Sequence, residues 1–246
     1  MSRPLRIQYP DAFYHVTCRG NERREIFRHA DDRKEFFRLL SRSLTIFEVQ
    51  LLAYAMMPNH FHLLVCTPKG NLSEFMRHFN ISYTGFFNRK HKRTGHLYQG
   101  RYKAFLIDEN NYLMEVSRYI HLNPLRIKSQ KPVGQRFRDL MINDSTSFPG
   151  YLQPQNRKSF VQYKIILDYF GGENHNAMNE YQKFVVEGME RDRPVRWRRE
   201  RVLVLLEARI LSNKFRRHSA KARGISVLPG SSLRLESWEN RLNPII

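Results

Sequence analysis

The chain is poor in cysteine. Cys18 and Cys66 are its only two, among 246 residues, and they form no CxxC pair. They allow at most one bridge, which fits a reducing cytoplasm and argues against a zinc site built on thiolates. Long apolar runs are also missing, and no stretch approaches the ~18 residues of a membrane span. Residues Met1 to Asp11 contain no apolar leader core, so no secretory signal is expected and a cytoplasmic location is. Neither an internal repeat nor a low-complexity tract is present. Acidic residues are scarce: 23 Asp and Glu stand against 42 Lys and Arg, a formal charge of +19. What is present suffices for a core, since 41% of residues are hydrophobic and 13% aromatic, which excludes wholesale disorder.

A charge this large exceeds what solubility requires. It predicts a polyanionic partner, of which nucleic acid is the commonest. The excess is uneven. Between Arg191 and Arg223 there are twelve Lys and Arg and three Asp and Glu, whereas residues 1–190 hold 28 basic and 18 acidic residues. The run Arg191-Asp192-Arg193-Pro194-Val195-Arg196-Trp197-Arg198-Arg199 reads as a boundary or a phosphate-binding arm.

Periodicity predicts alternating strands and helices over the first half. Ala12 to Thr17 reads as a strand, followed by a Gly20-Asn21 turn. Asp32 to Phe47 carries Phe36, Leu39, Leu40, Leu44 and Phe47 at helical spacing. Gln50 to Met56 and Phe61 to Thr67 read as strands joined tightly through Pro58-Asn59. Asn71-Leu72-Ser73-Glu74 has the pattern of a capping box opening a helix to about Lys90. His96 to Ile107 looks strand-like. Asp108 is expected to cap a helix that stops at Asn123-Pro124, because Pro124 lacks an N–H and restricts the residue before it. The order β-α-β-β-α-β-α predicts an α+β fold: a ferredoxin-like antiparallel sheet with helices on one face. Short amphipathic helices are expected over Val161 to Phe170 and Asn179 to Met189, and a basic-flanked helix over Arg199 to Leu211. These readings divide the chain into a core at 1–130, a helical extension at 131–195 and a basic tail at 196–246.

The chemistry centres on His60-Phe61-His62. Two histidines two apart on a strand project from one face, while Phe61 points to the other. Two imidazoles on one face can share a divalent metal. For this spacing alone, a solvated or hydrogen-bonded pair is the commoner meaning. Here, however, the rings open the apolar run Leu63-Leu64-Val65, where polar groups need a reason. On the helix after Asp108, Tyr112, Tyr119 and Asn123 fall nearly on one face. A tyrosine hydroxyl can serve as nucleophile and an amide oxygen as a hard metal ligand. Core packing is the competing reading for both tyrosines, favoured for Tyr112, and a helix C-terminal role competes for Asn123. His15, on an apolar strand, reads as structural, and Cys66 as a small buried hydrophobe. Phe75, Phe79, Phe86 and Phe87 read as core rather than as stacking platforms. Arg19, Asn21, Arg23 and Arg24 after the first strand, with Arg101 and Lys103 on the later one, are candidate DNA contacts. Arg77, Arg89, Lys90, Lys92 and Arg93 around the second helix are further phosphate candidates. Solvated surface charge is the alternative in each case.

Met57-Pro58-Asn59-His60-Phe61-His62-Leu63-Leu64 resembles the His–hydrophobe–His (HUH) motif of the IS200-like, single-tyrosine transposases. Three further blocks resemble that family in the same order: Tyr14-His15-Val16-Thr17-Cys18-Arg19-Gly20-Asn21, Leu97-Tyr98-Gln99-Gly100-Arg101-Tyr102-Lys103 and Tyr119-Ile120-His121-Leu122-Asn123-Pro124-Leu125-Arg126. A weaker echo runs through Ser145-Thr146-Ser147-Phe148-Pro149-Gly150-Tyr151. The longer branch, the REP-associated tyrosine transposases, is the most similar. The resemblance implies an HUH endonuclease fold and an enzyme that cuts and rejoins single-stranded DNA, often beside a hairpin, through a 5′-phosphotyrosine. It implies Tyr119 as nucleophile and His60 and His62 as ligands of Mg²⁺ or Mn²⁺. Asn123 would be the third ligand, where shorter relatives use a longer glutamine. Some relatives donate the tyrosine helix across a homodimer, so monomer and dimer both stay open. Two alternatives stand beside this reading: a nucleic-acid-binding protein without cutting activity on the same fold, and a metal-dependent hydrolase using water, which would leave no covalent protein–DNA product.

Overall fold

The computed structural model describes residues 7–107, 112–125 and 132–190. The expected Asp108 cap, the basic arm at 191–199, the Arg199 to Leu211 helix and the tail at 196–246 lie outside the described residues. Four strands form one sheet: β1 (Ala12–Arg19), β2 (Gln50–Met57), β3 (His60–Thr67) and β4 (Lys103–Ile107). Their order across the sheet is β2-β3-β1-β4, with every pairing antiparallel. Helices α1 (Ala30–Phe47) and α2 (Leu72–Lys90) make the two crossovers, giving the expected ferredoxin-like βαββαβ core.

Both crossover helices cover one face, and alternation along β3 decides which. Phe61 points toward them, with its ring centroid 5.1 Å from that of Phe36 on α1 and 6.0 Å from that of Phe79 on α2. Phe36, Phe61, Phe75, Phe79, Tyr83 and Phe87 are wholly buried, so the phenylalanines of α2 are core. Asp32 ties the ends of these helices together. Its carboxylate accepts from the backbone N–H groups of Arg28 and His29 at the start of α1, and from Lys90 and His91 at the end of α2. Burial alone would raise its pKa, but these donors outweigh burial and hold it at about 2.

Three local expectations differ from the fold. The capping box at Asn71 does not form, because tertiary partners take its groups. Asn71 Nδ2 donates to the Phe47 carbonyl, and Ser73 N donates to Gln8 Oε1. The strand expected from His96 begins only at Lys103: Gly100, inside the expected run, sits at φ +77°, which breaks it. Two short helices unmarked by periodicity, α4 (Val133–Met141) and α5 (Phe148–Leu152), also appear.

The opposite face of the sheet is covered by α3 (Leu113–Leu122), which follows the core, and by α6 (Tyr163–Leu167), while α7 (His175–Glu190) packs against α3. The chain after α4 seals the open edge of β2. Met56 N donates to the Ser145 carbonyl, Ser147 N to the Tyr54 carbonyl and Gln162 N to the Leu51 carbonyl, while the Tyr151 hydroxyl donates to the Leu52 carbonyl. An edge strand that would otherwise offer unpaired backbone is thereby closed. This accounts for the Ser145 to Tyr151 echo in the sequence.

A buried polar chain anchors α3. Tyr54 N donates to Ser147 Oγ, which lies 2.8 Å from His121 Nε2; His121 Nδ1 lies 2.8 Å from the Tyr181 hydroxyl, itself 2.5 Å from Ser117 Oγ. It joins β2, α3, the start of α5 and α7, and His121, Ser117 and Tyr181 are fully buried. A satisfied buried network of this kind specifies a unique packing. Burial holds the His121 imidazole neutral, with its pKa lowered to about 3. An unfolded histidine takes up a proton near pH ~6.5. Between those values the unfolded chain binds more protons, so stability rises with pH and is lost on acidification. From pH 7 to pH 5, His121 alone is expected to remove about 2 kcal/mol. Urea midpoints at the two pH values check this. The His121→Gln variant should be weaker at pH 7 but show a shallower pH slope, and an unchanged slope would refute the assignment.

Candidate active site

The β1–β3 ladder sets His60 opposite Arg19, His62 opposite Thr17 and Leu64 opposite His15. The β1–β4 ladder sets Thr17 opposite Lys103 and His15 opposite Phe105. Residues opposite one another share a face. His15, His60, His62, Arg19 and Lys103 therefore all project from the face away from α1 and α2. Helix α3 lies on this face, above β2 and β3. Its buried stripe of Leu113, Val116, Ser117, Ile120 and His121 points away from solvent and leaves Tyr119 at the stripe's edge, half-buried. The Tyr119 ring stands edge-on to both inner histidines, its centroid 5.7 Å from that of His15 and 6.0 Å from that of His62. Tyr112 is not core: it caps α3 and is 37% exposed, because α3 begins there and its side chain has no sheet beneath it.

The histidines are held in defined orientations. His60 Nδ1 lies 2.6 Å from Asn59 Oδ1, and His62 Nδ1 lies 2.8 Å from His15 Nε2. Each bond engages the Nδ1 of a candidate ligand, and a metal on His60 would therefore bind through Nε2. Burial, with help from the nearby Arg19 charge, pushes the His60 pKa down to about 4, and burial does the same for His15. At neutral pH these imidazoles are uncharged, which is the form that ligates. The rings of His60 and His62 are 5.1 Å apart between centroids, an arrangement that fits one shared divalent ion. Among the described residues, no group of three His, Cys, Asp or Glu completes such a site. A third donor would have to be an amide, a water or the substrate. Asn123 follows α3 directly, and its Nδ2 donates to the Tyr119 carbonyl at 3.1 Å, leaving Oδ1 outside that bond.

The basic candidates gather at one end of the sheet. Backbone hydrogen bonds sew three separate segments together there: Gly20 N to the Asn59 carbonyl, Ile26 N to the Pro58 carbonyl, Asn21 N to the Leu97 carbonyl and Gln99 N to the Arg19 carbonyl, each at 2.8 Å. Arg19, Arg23, Arg24, Arg101 and Lys103 are exposed there, and Asn21 is half-buried. Arg24 pairs with Glu22 at the surface, a contact worth little in water. Lys103 occupies the same cross-strand row as His62, with Thr17 between them. Of the α2 group, Arg77, Arg89 and Lys92 are exposed, whereas Lys90 is drawn to Asp32 and Arg93 to Asn88.

Residues 8–123 match the family model described as IS200-like transposase. The match ends on Asn123 and so spans both histidines and Tyr119. In residues 8–123 the chain belongs to the IS200-like transposase family. Among solved structures, a REP-associated tyrosine transposase bound to a REP hairpin is similar in fold at 13% identity, with a TM-score of 0.50 over 66% of this chain and 92% of that one. A protein of Deinococcus radiodurans R1 described as a transposase aligns at 17% identity and a TM-score of 0.35, over 49% of this chain and 95% of that one. A tRNA(His) guanylyltransferase from Saccharomyces cerevisiae aligns at 8% identity and a TM-score of 0.37, over 58% and 76% respectively. No curated protein matches.

Two residues of this transposase-family site were not marked by the sequence. His15 reads as structural because its strand is apolar, yet it bonds His62 across the β1–β3 ladder. Asn59 reads as a turn former, yet its side chain bonds His60. Gly20 carries a steric demand of its own, because a Cβ there would lie 2.1 Å from the Arg24 carbonyl oxygen. Gly20→Ala is therefore expected to open the turn at residues 20–24 and cost roughly 1–3 kcal/mol, the usual range for overpacking. Faster amide exchange at Asn21, Arg24 and Ile26 would report the opening, and wild-type exchange at all three would contradict it.

Proposed function

We propose that the chain is a metal-dependent transposase that nicks and rejoins single-stranded DNA beside a hairpin, with Tyr119 as nucleophile. The observation that carries this reading is the edge-on seat of Tyr119 against His15 and His62, on the face that also bears Arg19 and Lys103. The tyrosine oxygen attacks a backbone phosphorus, the bond to the 3′ oxygen breaks, and a 5′-phosphotyrosine forms. The departing 3′ oxygen takes up a proton. In the reverse sense a 3′-OH attacks the phosphotyrosine and frees the phenol, so the strand is resealed without ATP. His60 and His62 would hold Mg²⁺ or Mn²⁺ through Nε2, with Asn123 Oδ1 as third ligand. An ion bound there supplies stabilisation of charge developing on a non-bridging phosphate oxygen. Arg19, Asn21, Arg23, Arg24, Arg101 and Lys103 contact the DNA backbone and fix its register. The hairpin bound by the similar REP-associated structure motivates the hairpin in this reading. Binding without cutting is the second reading, and the intact set of Tyr119, His60 and His62 argues against it. A cytoplasmic location follows from the reading.

Labelled single-stranded DNA carrying a hairpin, incubated with Mn²⁺ and run on a denaturing gel, tests the chemistry. A slow covalent species is expected that Tyr119→Phe abolishes while DNA binding persists. An adduct lost in Tyr112→Phe instead would overturn the nucleophile. Tight binding with no adduct in any buffer would establish the second reading.

Helix α3 is fixed to α7 of its own chain. Arg118 lies over the Phe184 ring at 4.1 Å and donates to the Phe184 carbonyl, and the His121 network adds its own bonds. The tyrosine therefore serves the histidine pair of the same chain. A mixture of Tyr119→Phe and His62→Ala proteins is expected to form no adduct, whereas recovery of activity on mixing would show exchange between subunits.

A further inference from the structure

Asn59 fills the tight connection between β2 and β3, and three of its polar groups are engaged. Its carbonyl accepts from Gly20 N at 2.8 Å. Its side-chain Nδ2 donates to the Arg23 carbonyl at 3.0 Å, and its Oδ1 faces His60 Nδ1 at 2.6 Å. The Arg23 carbonyl can only accept, so the nitrogen end of the amide must face it. The oxygen end then faces His60 and can only accept. The proton therefore sits on His60 Nδ1, and the lone pair on Nε2. Turning the amide over would set oxygen against oxygen at Arg23, and its NH2 would then suit only the opposite tautomer of His60.

The turn that Asn59 grips carries backbone strain. Glu22 and Arg23 both adopt left-handed backbone, at φ 53° and 60°, a conformation unfavourable for residues with side chains. Arg23 and Arg24 project to solvent from this turn, at the same end of the sheet as His60. One amide thus touches the basic turn with one end and a candidate ligand with the other.

We propose that Asn59 is a positioning residue that couples the conformation of the basic turn at residues 20–24 to the tautomer of His60, so that a nucleic-acid backbone seated on the turn and a divalent cation at His60 bind cooperatively. The proposal rests on the reading of His60 as a metal ligand and of the turn as a DNA contact. DNA phosphates on Arg23 and Arg24 would hold the turn in its gripped form, which keeps the amide oriented and the Nε2 lone pair available. By linkage, a cation at His60 strengthens DNA binding by the same factor.

The test uses the full chain with ¹⁵N-labelled histidine, Mn²⁺ as the cation, and a blunt DNA hairpin. A blunt hairpin has no single-stranded arm to place a scissile phosphate at the metal, and Mn²⁺ taken up by the hairpin alone is subtracted. Long-range ¹H–¹⁵N correlation reads the His60 tautomer without metal, and Mn²⁺ resonance reads affinity with and without saturating hairpin. In the wild type His60 should be protonated at Nδ1, and the hairpin should tighten Mn²⁺ at least about 5-fold, the lower end of ordinary coupling. Asn59→Asp keeps an acceptor for His60 but has no hydrogen for Arg23. It should retain the tautomer, with the hairpin effect falling below half of the wild-type factor. Asn59→Ala should mix the tautomers and weaken Mn²⁺ by about 10-fold, the scale of a lost partner behind a ligand. Wild-type coupling in Asn59→Asp, or an unmixed Nδ1–H tautomer in Asn59→Ala, would overturn the proposal. A wild type that keeps the tautomer but binds no Mn²⁺ would overturn the metal-dependent function instead, and cooperativity with it.

Discussion

The two faces of β3 are the constraint on which the rest of the structure depends. Strand alternation sends Phe61 into the aromatic core under α1 and α2, and sends His60 and His62 to the other side. The rigidity that the site needs comes from the core on the reverse of the same strand. Pairing with β1 then fixes the neighbours: Arg19 beside His60, Thr17 beside His62, and His15 within reach of the His62 ring. A slip of one residue in this register would turn the histidines into the core and Phe61 to the surface. Burial of Phe61 with five further aromatic side chains makes that slip prohibitive.

A strand face alone does not place Tyr119. Tyr119 reaches the histidines because α3 is pinned from behind. The chain 145–147 pairs with the edge of β2, and Ser147 passes the contact on to His121, two residues past Tyr119. Tyr181 on α7 completes the network. Close approach of α7 to α3 requires Gly188, where a Cβ would meet Arg118 Cδ at 2.6 Å. The helical extension is thus part of the apparatus that holds the tyrosine helix against the sheet, although among the described residues it contributes none to the group around His60 and His62.

Sequence pattern revealed the elements whose signal is local and periodic. The alternation in β2 and β3, the apolar stripe of α1 and the stop at Pro124 all appear where expected, as does the shared face of His60 and His62. Signals that depend on distant partners were illegible. The Asn71 box has the right residues, but Phe47 and Gln8 capture its groups, and only the fold brings them near. His15 looks like any histidine in an apolar strand, since its partner is 47 residues away and on another strand. Tyr112 and Tyr119 share a helical face by spacing, and only the start of α3 at Leu113 separates an exposed cap from a residue over the sheet. The strand limits near Lys103 were missed because Gly100, at positive φ, breaks a run that reads as extended.

The surplus of positive charge serves the site in two ways that reinforce each other. Arg19 and Lys103 flank the histidine pair and attract a polyanion. The Arg19 charge also adds to burial in disfavouring the protonated form of His60. A proton and a divalent cation compete for the same Nε2 lone pair, and both are repelled by Arg19. Burial, the larger cause, penalises the imidazolium of the free protein. A phosphate arriving beside the arginine changes that balance, because its negative charge offsets Arg19 and lowers the electrostatic cost of a divalent cation. In the proposed reading, a cation and a nucleic acid bound this close would therefore be coupled through the field as well as through hydrogen bonds. The Asn59 amide adds direction to that coupling, since a charge can favour a cation nearby but cannot choose which ring nitrogen presents its lone pair.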